Sequence, residues 1–131
     1  MPTTTARRAP TTPSAPPSAT PRLDPKRAAA LSEQLWEQEA LPAITDYIRI
    51  PNQSPHFDKN WAAAGHMARA ADLIENWCKS RASRLPGLRV ERLQLHNRTP
   101  LLFLELPGKS EETVLLYGHL DKQPEMSGWR P

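Results

Sequence analysis

His119 and Asp121, separated by one residue, are the side chains of this sequence best placed to do chemistry. They follow Val114, Leu115, Leu116, Tyr117 and Gly118, a short apolar run that ends in a glycine. A histidine at the end of such a run can offer one ring nitrogen to a metal ion while its other nitrogen donates to a carboxylate. That second bond fixes the ring and raises its basicity. With one residue between them, both side chains can leave a strand end on the same side, and Gly118 allows a sharp backbone turn. Spacing alone also fits a polar loop after a buried strand, with His119 simply hydrogen-bonded. One imidazole does not hold zinc, because catalytic zinc takes three protein ligands and a water.

The other candidates are less distinctive. His66 lies inside a helical stretch, one place before its apolar stripe. His56 and His96 sit near turns with no partnered carboxylate, and Asp58, Glu75 and Glu105 are singletons. Cys78 falls on the apolar stripe and reads as a small buried hydrophobe. As the only cysteine it excludes an internal disulfide, which fits a reducing compartment. The net charge of +3 is a property of the N-terminus. Arg7, Arg8, Arg22, Lys26 and Arg27 face only Asp24 there, and the rest of the chain is slightly acidic. Neither this charge nor the dispersed aromatics suggests a nucleic-acid partner. No apolar run is long enough for a membrane helix. Arg7 and Arg8 precede Ala-Pro-Thr-Thr-Pro-Ser, which cannot be the apolar core of a signal. The expectation is a cytoplasmic protein; the acid-free first 23 residues leave a transit peptide as the alternative.

The elements that must position the pair are legible in outline. Residues 1–23 are rich in Pro, Thr and Ala, with almost nothing to bury, and are expected to be a disordered tail. Asp24 and Pro25 predict a helix start, as N-cap and first helical residue. Ala28, Leu31, Leu35 and Trp36 form its stripe. Pro42 either kinks this helix or opens a second one over residues 43–50, with Ile44, Tyr47 and Ile48 on one face. Two prolines make residues 51–55 a loop. Asp58 or Asn60 then caps the longest helix, which runs to about residue 81 with Met67, Ala71, Ile74 and Cys78 on a continuous buried stripe. Strands follow at 88–95, where a phase slip near Arg92 suggests a bulge or an edge position, and at 101–106. Residues 114–117, apolar at every position, predict a central strand buried on both faces. The order predicts an α/β layered domain of two or three helices followed by three strands.

The stretch from Val114 to Pro124, Val-Leu-Leu-Tyr-Gly-His-Leu-Asp-Lys-Gln-Pro, resembles the first metal-site motif of the dinuclear-zinc metallopeptidases. These include carnosinase-type dipeptidases, aminoacylases and succinyl-diaminopimelate desuccinylase. Tyr-Ile-Arg-Ile-Pro-Asn-Gln-Ser-Pro at 47–55 resembles the loop after their first helices, and Ala-Asp-Leu-Ile-Glu-Asn-Trp at 71–77 resembles the amphipathic helix that follows. The likeness spans about residues 27–131, and Gln123, Pro124 and Trp129 lean toward the dipeptidase-like branch. It implies that residues 24–131 are the N-terminal portion of a zinc-exopeptidase-like layered domain with an incomplete sheet. It implies that His119 is a ligand to one of two zinc ions and Asp121 the catalytic-site aspartate that orients it. A complete relative would hydrolyse dipeptides or N-acyl amino acids and could form a homodimer. In the family the bridging aspartate, the general-base glutamate, the other carboxylate ligands and the late histidine all follow this motif. The expectation is therefore a chain truncated after its first metal-site motif, inactive alone. The alternatives are a non-catalytic α/β interaction module and a non-functional truncated product.

Overall fold

Asp24 starts the first helix by a side-chain cap. In the computed structural model, which describes residues 23–128, its carboxylate accepts from the backbone amides of Lys26 at 3.0 Å and Arg27 at 3.4 Å. Two amides that the helix cannot satisfy internally are thereby engaged. Helix α1 runs over Pro25–Leu35 with Pro25 in its first turn. All of the expected tail, residues 1–23, except Leu23 lies outside the described residues, as does Trp129.

Pro42 opens a second helix, in whose first turn it stands. Between α1 and α2 (Leu41–Ile48) lies one π-helical turn, Trp36–Ala40, closed by a bond from the Leu41 amide to the Trp36 carbonyl. Proline lacks an amide hydrogen, and its ring crowds the carbonyl four residues back; a locally widened turn accommodates both effects. The predicted longest helix is likewise divided. Trp61–Ala64 forms a single turn, α3, which stops at Gly65, and α4 runs over His66–Lys79. Gly65 has φ of 71°, a left-handed conformation that only glycine adopts without penalty. Asn60 occupies the residue before α3 but makes no side-chain cap. Asp58 instead accepts from the Asn60 amide at 2.8 Å.

The stripe on α4 forms in large part, with Ile74 only half-buried. Met67, Ala70, Ala71 and Cys78 are buried and, with Ile50, make up the apolar core. Burial pushes the Cys78 thiol pKa up, with the nearby Arg81 opposing, so this cysteine stays protonated and inert. Strands β1 (Arg89–Leu93) and β2 (Leu101–Glu105) pair antiparallel from Arg89 opposite Glu105 to Leu93 opposite Leu101. That register has no bulge at Arg92, but β1, bonded only to β2, is an edge strand, the other alternative the phase slip offered. Arg92 turns toward α4, where its guanidinium donates to Glu75 at 2.7 Å and Asp72 at 2.6 Å. A polar side chain sits on the helix-facing side because two carboxylates receive it there. Glu75, unremarkable as a sequence position, joins α4 to the sheet.

The expected third strand is absent from the described residues. Residues 114–117 pair with nothing and are 84–88 % exposed. An all-apolar run records that a strand needs neighbours on both sides, and β1 and β2 bond only to each other. The described chain is a small α/β unit with a two-stranded antiparallel sheet packed on α4.

A second ion cluster ties the π turn to the end of α4. Glu39 accepts from Arg84 at 2.8 and 2.7 Å and from Arg81 at 2.7 Å, while Arg81 also lies 3.6 Å from the centre of the Trp77 ring. The bonds from Arg84 and then Arg81 outweigh burial and hold the Glu39 carboxyl down at about 2, against an ordinary 4.5. A carboxylate depressed in this way stabilises the fold fully above its unfolded pKa and loses that contribution as pH falls through the folded value. Glu39→Gln is thus expected to melt below wild type at pH 7, and the gap should close between about pH 4.5 and about pH 2 in a thermal-melt series. A gap independent of pH would contradict the ion-pair account. At Gly65 an added Cβ meets no atom within 4 Å, so the whole effect of substitution is conformational. Gly65→Ala should destabilise by about 1 kcal/mol in chemical denaturation and Gly65→Asn by less, because asparagine tolerates left-handed backbone.

Candidate functional site

His119 and Asp121 are brought together, but not by a strand end. The Nδ1 atom of His119 lies 2.9 Å from the backbone oxygen of Asp121 and 3.2 Å from its Oδ1. Both are acceptors, so the geometry suits the tautomer with hydrogen on Nδ1, which leaves the Nε2 lone pair free. The His119 side chain is 66 % exposed and that of Asp121 is 32 % exposed. Burial raises the Asp121 carboxyl, yet hydrogen bonds from Ser54, from its own backbone amide and from His119 prevail, and its pKa is lowered overall. The aspartate is therefore an anion at neutral pH, as an orienting acceptor must be. Gly118 is not what shapes this turn: its φ is not positive, and a Cβ there would meet nothing.

The segment is held instead by the loop after α2. The Ser54 amide donates to the Lys122 carbonyl at 2.9 Å and the Lys122 amide to the Asn52 carbonyl at 3.0 Å, a parallel bridge between Gln53 and Lys122. The Leu120 carbonyl, between the two candidate residues, accepts from Asn52 Nδ2 at 2.7 Å and from the Tyr47 hydroxyl. Lys122 Nζ donates to the carbonyls of Tyr47 at 2.6 Å, Ile48 at 3.2 Å and Ile50, and stands 4.2 Å from the centre of the Tyr47 ring. The neighbouring Ile50 side chain is buried, and Asn52 is only 1 % exposed.

Beside His119 and Leu120 opens an apolar cleft of about 400 Å³, walled by Ile44 and Tyr47 from α2 and by Leu73, Ile74 and Trp77 from α4. The remaining predicted candidates do not join the pair. His66 begins α4 and its Nδ1 is buried without a hydrogen-bond partner. The His56 ring stacks edge-on against Phe57. Among the described residues no three His, Cys, Asp or Glu side chains converge as a metal site would require. No helix there is long and apolar enough to cross a membrane.

Sequence reasoning did not assign site roles to Tyr47, Asn52, Ser54 or Lys122, although Asn52 and Ser54 lie in the proline-bounded loop it singled out. Asn52 offered a usable signal, since an amide that both donates and accepts is what a buried irregular loop needs. No protein-family model and no curated protein matches the chain.

Proposed function

We propose that this chain carries the first corner of the active site of a metal-dependent hydrolase of the dinuclear-zinc metallopeptidase kind, acting on dipeptides or N-acyl amino acids. The observation that supports this reading is the His119 ring, whose Nδ1 is occupied by Asp121 while the side chain is 66 % exposed. This is the arrangement in which a neutral imidazole serves as a ligand with a carboxylate behind it. The donor set fits one corner of such a centre. His119 would hold zinc, and Asp121 would keep the ring in the ligating tautomer without touching the metal.

Bound zinc in such a site polarises the scissile carbonyl and makes a water acidic. The chain's own contribution is orientation and a negative charge behind the ring. Hydrolysis also needs further ligands and a general base. Because no other metal-binding group converges on His119 among the described residues, zinc should bind here weakly and without turnover. The reading as an N-terminal portion of a zinc-exopeptidase-like domain rests on the same motif and on the order of α2, the Pro51 loop, α4, β1 and β2.

A second reading, a non-catalytic α/β interaction module, is favoured by the exposed apolar run at 114–117 and by the apolar cleft. Calorimetric titration of the full chain with zinc separates the two. The hydrolase-corner reading expects binding weaker than micromolar that disappears in His119→Ala. Equal binding by wild type and His119→Ala would refute it. Stoichiometric sub-micromolar binding would show a complete site in this chain and overturn the one-ligand account.

A further inference from the structure

The pair His119 and Asp121 lies on a stretch without strand pairing, yet its geometry is defined, so something else holds it. Two groups do so from opposite directions. Lys122 inserts its ammonium among the carbonyls of Tyr47, Ile48 and Ile50, at the C-terminal end of α2. The Tyr47 carbonyl also accepts from the Ile50 amide at 3.1 Å and that of Ile50 from the Asn52 amide at 2.9 Å. The ammonium takes up remaining acceptor capacity where the partial negative charge of a helix end attracts a cation. No carboxylate pairs with Lys122 among the described residues, and burial lowers its pKa. Its attachment is therefore to the helix end itself. Asn52 acts from the loop side, donating to the Leu120 carbonyl midway between the two candidate residues. Its Oδ1 is buried with no partner in the described structure. An unpartnered buried acceptor is unfavourable, and the bond that Nδ2 makes is what the buried amide gains at this place.

We propose that Lys122 and Asn52 are positioning residues that clamp the 120–122 backbone to the end of α2, and so keep His119 in the Nδ1–H tautomer that frees Nε2 for a ligand. The relevance to metal binding rests on the hydrolase reading above; the clamp itself does not. Neither residue touches the reacting atoms. Each acts through the backbone that carries Asp121 against the ring.

The test is the histidine ring ¹⁵N spectrum of the metal-free full chain at one mildly alkaline pH, where tautomers are read directly, with amide exchange measured on the same samples. Wild type should show His119 as the Nδ1–H form and slow exchange at the Lys122 and Ser54 amides, both of which are bonded across the bridge. Lys122→Met and Asn52→Asp should each lose that tautomer preference at His119, while His56, His66 and His96 keep their wild-type signals. Lys122→Arg, which still presents a charged donor to the helix carbonyls, should retain it.

Three results would overturn the proposal. One is an unprotected Lys122 amide in wild type. Another is a wild-type His119 tautomer in variants whose Lys122 amide now exchanges fast. The third is an equal shift at all four histidines, which would mean general loosening. If Lys122→Met loses the signals of the α4 core, Asn52→Ser decides in its place: its hydroxyl is too short to reach Leu120, and an unchanged His119 in that folded variant is equally fatal. No metal is present in these measurements. Failure of the clamp is thus distinguishable from failure of the hydrolase reading, which is decided by zinc and His119→Ala.

Discussion

The C-terminal end of α2 must have its partial negative charge met, and in this chain the cation arrives from 75 residues downstream, on Lys122. That single requirement ties the early helices to the candidate site. Once the ammonium is seated, Lys122 N–H meets the Asn52 carbonyl, Ser54 N–H meets the Lys122 carbonyl, and Leu120 lies within reach of Tyr47 and Asn52. Ser54 is then placed to bond the Asp121 carboxyl. These bonds hold the backbone that carries Asp121, which the His119 ring meets through Nδ1. A charged group against a helix end and a buried amide give directional restraint that apolar packing alone does not.

The rest of the fold serves as the platform for this contact. Helix α4 carries the buried residues Met67, Ala70, Ala71 and Cys78, and two carboxylate–guanidinium clusters fix what surrounds it. Arg92 with Asp72 and Glu75 joins the sheet to the helix, and Glu39 with Arg81 and Arg84 joins the π turn to the chain after α4. Their members are partly exposed, so each pair contributes modestly. Their role is to set which way the elements face. The outcome is an apolar cleft between α2 and α4 that ends at His119 and Leu120, with the ring at its rim.

Much of this was legible in the residues. The Asp24 cap with Pro25, the Met67–Ala71–Cys78 stripe and the two paired strands follow from local rules of capping and periodicity, and the His119–Asp121 contact follows from spacing. What was hidden depends on partners distant in sequence. Gly65 sits in an alanine-rich stretch whose pattern stays helical, and only its left-handed backbone shows the break. Arg92 read as a disturbance of strand phase because its carboxylate partners lie on another element. Residues 114–117 carry the pattern of a strand buried on both faces, but a pattern states what a segment needs and not that the need is met. The clamp was least visible of all, since its acceptors are backbone carbonyls, and these leave no mark in side-chain composition.

The central claim is that His119, held through Nδ1 by Asp121, presents Nε2 to a metal. A zinc titration followed by long-range ¹H–¹⁵N correlation of the histidine rings tests it most directly, because it reports which nitrogen of which ring takes the ion. The account predicts perturbation of His119 Nε2 first, with the proton on Nδ1 retained. Zinc taken up at His66, His56 or His96 while His119 is unaffected, or at His119 Nδ1 with loss of its proton, would contradict it.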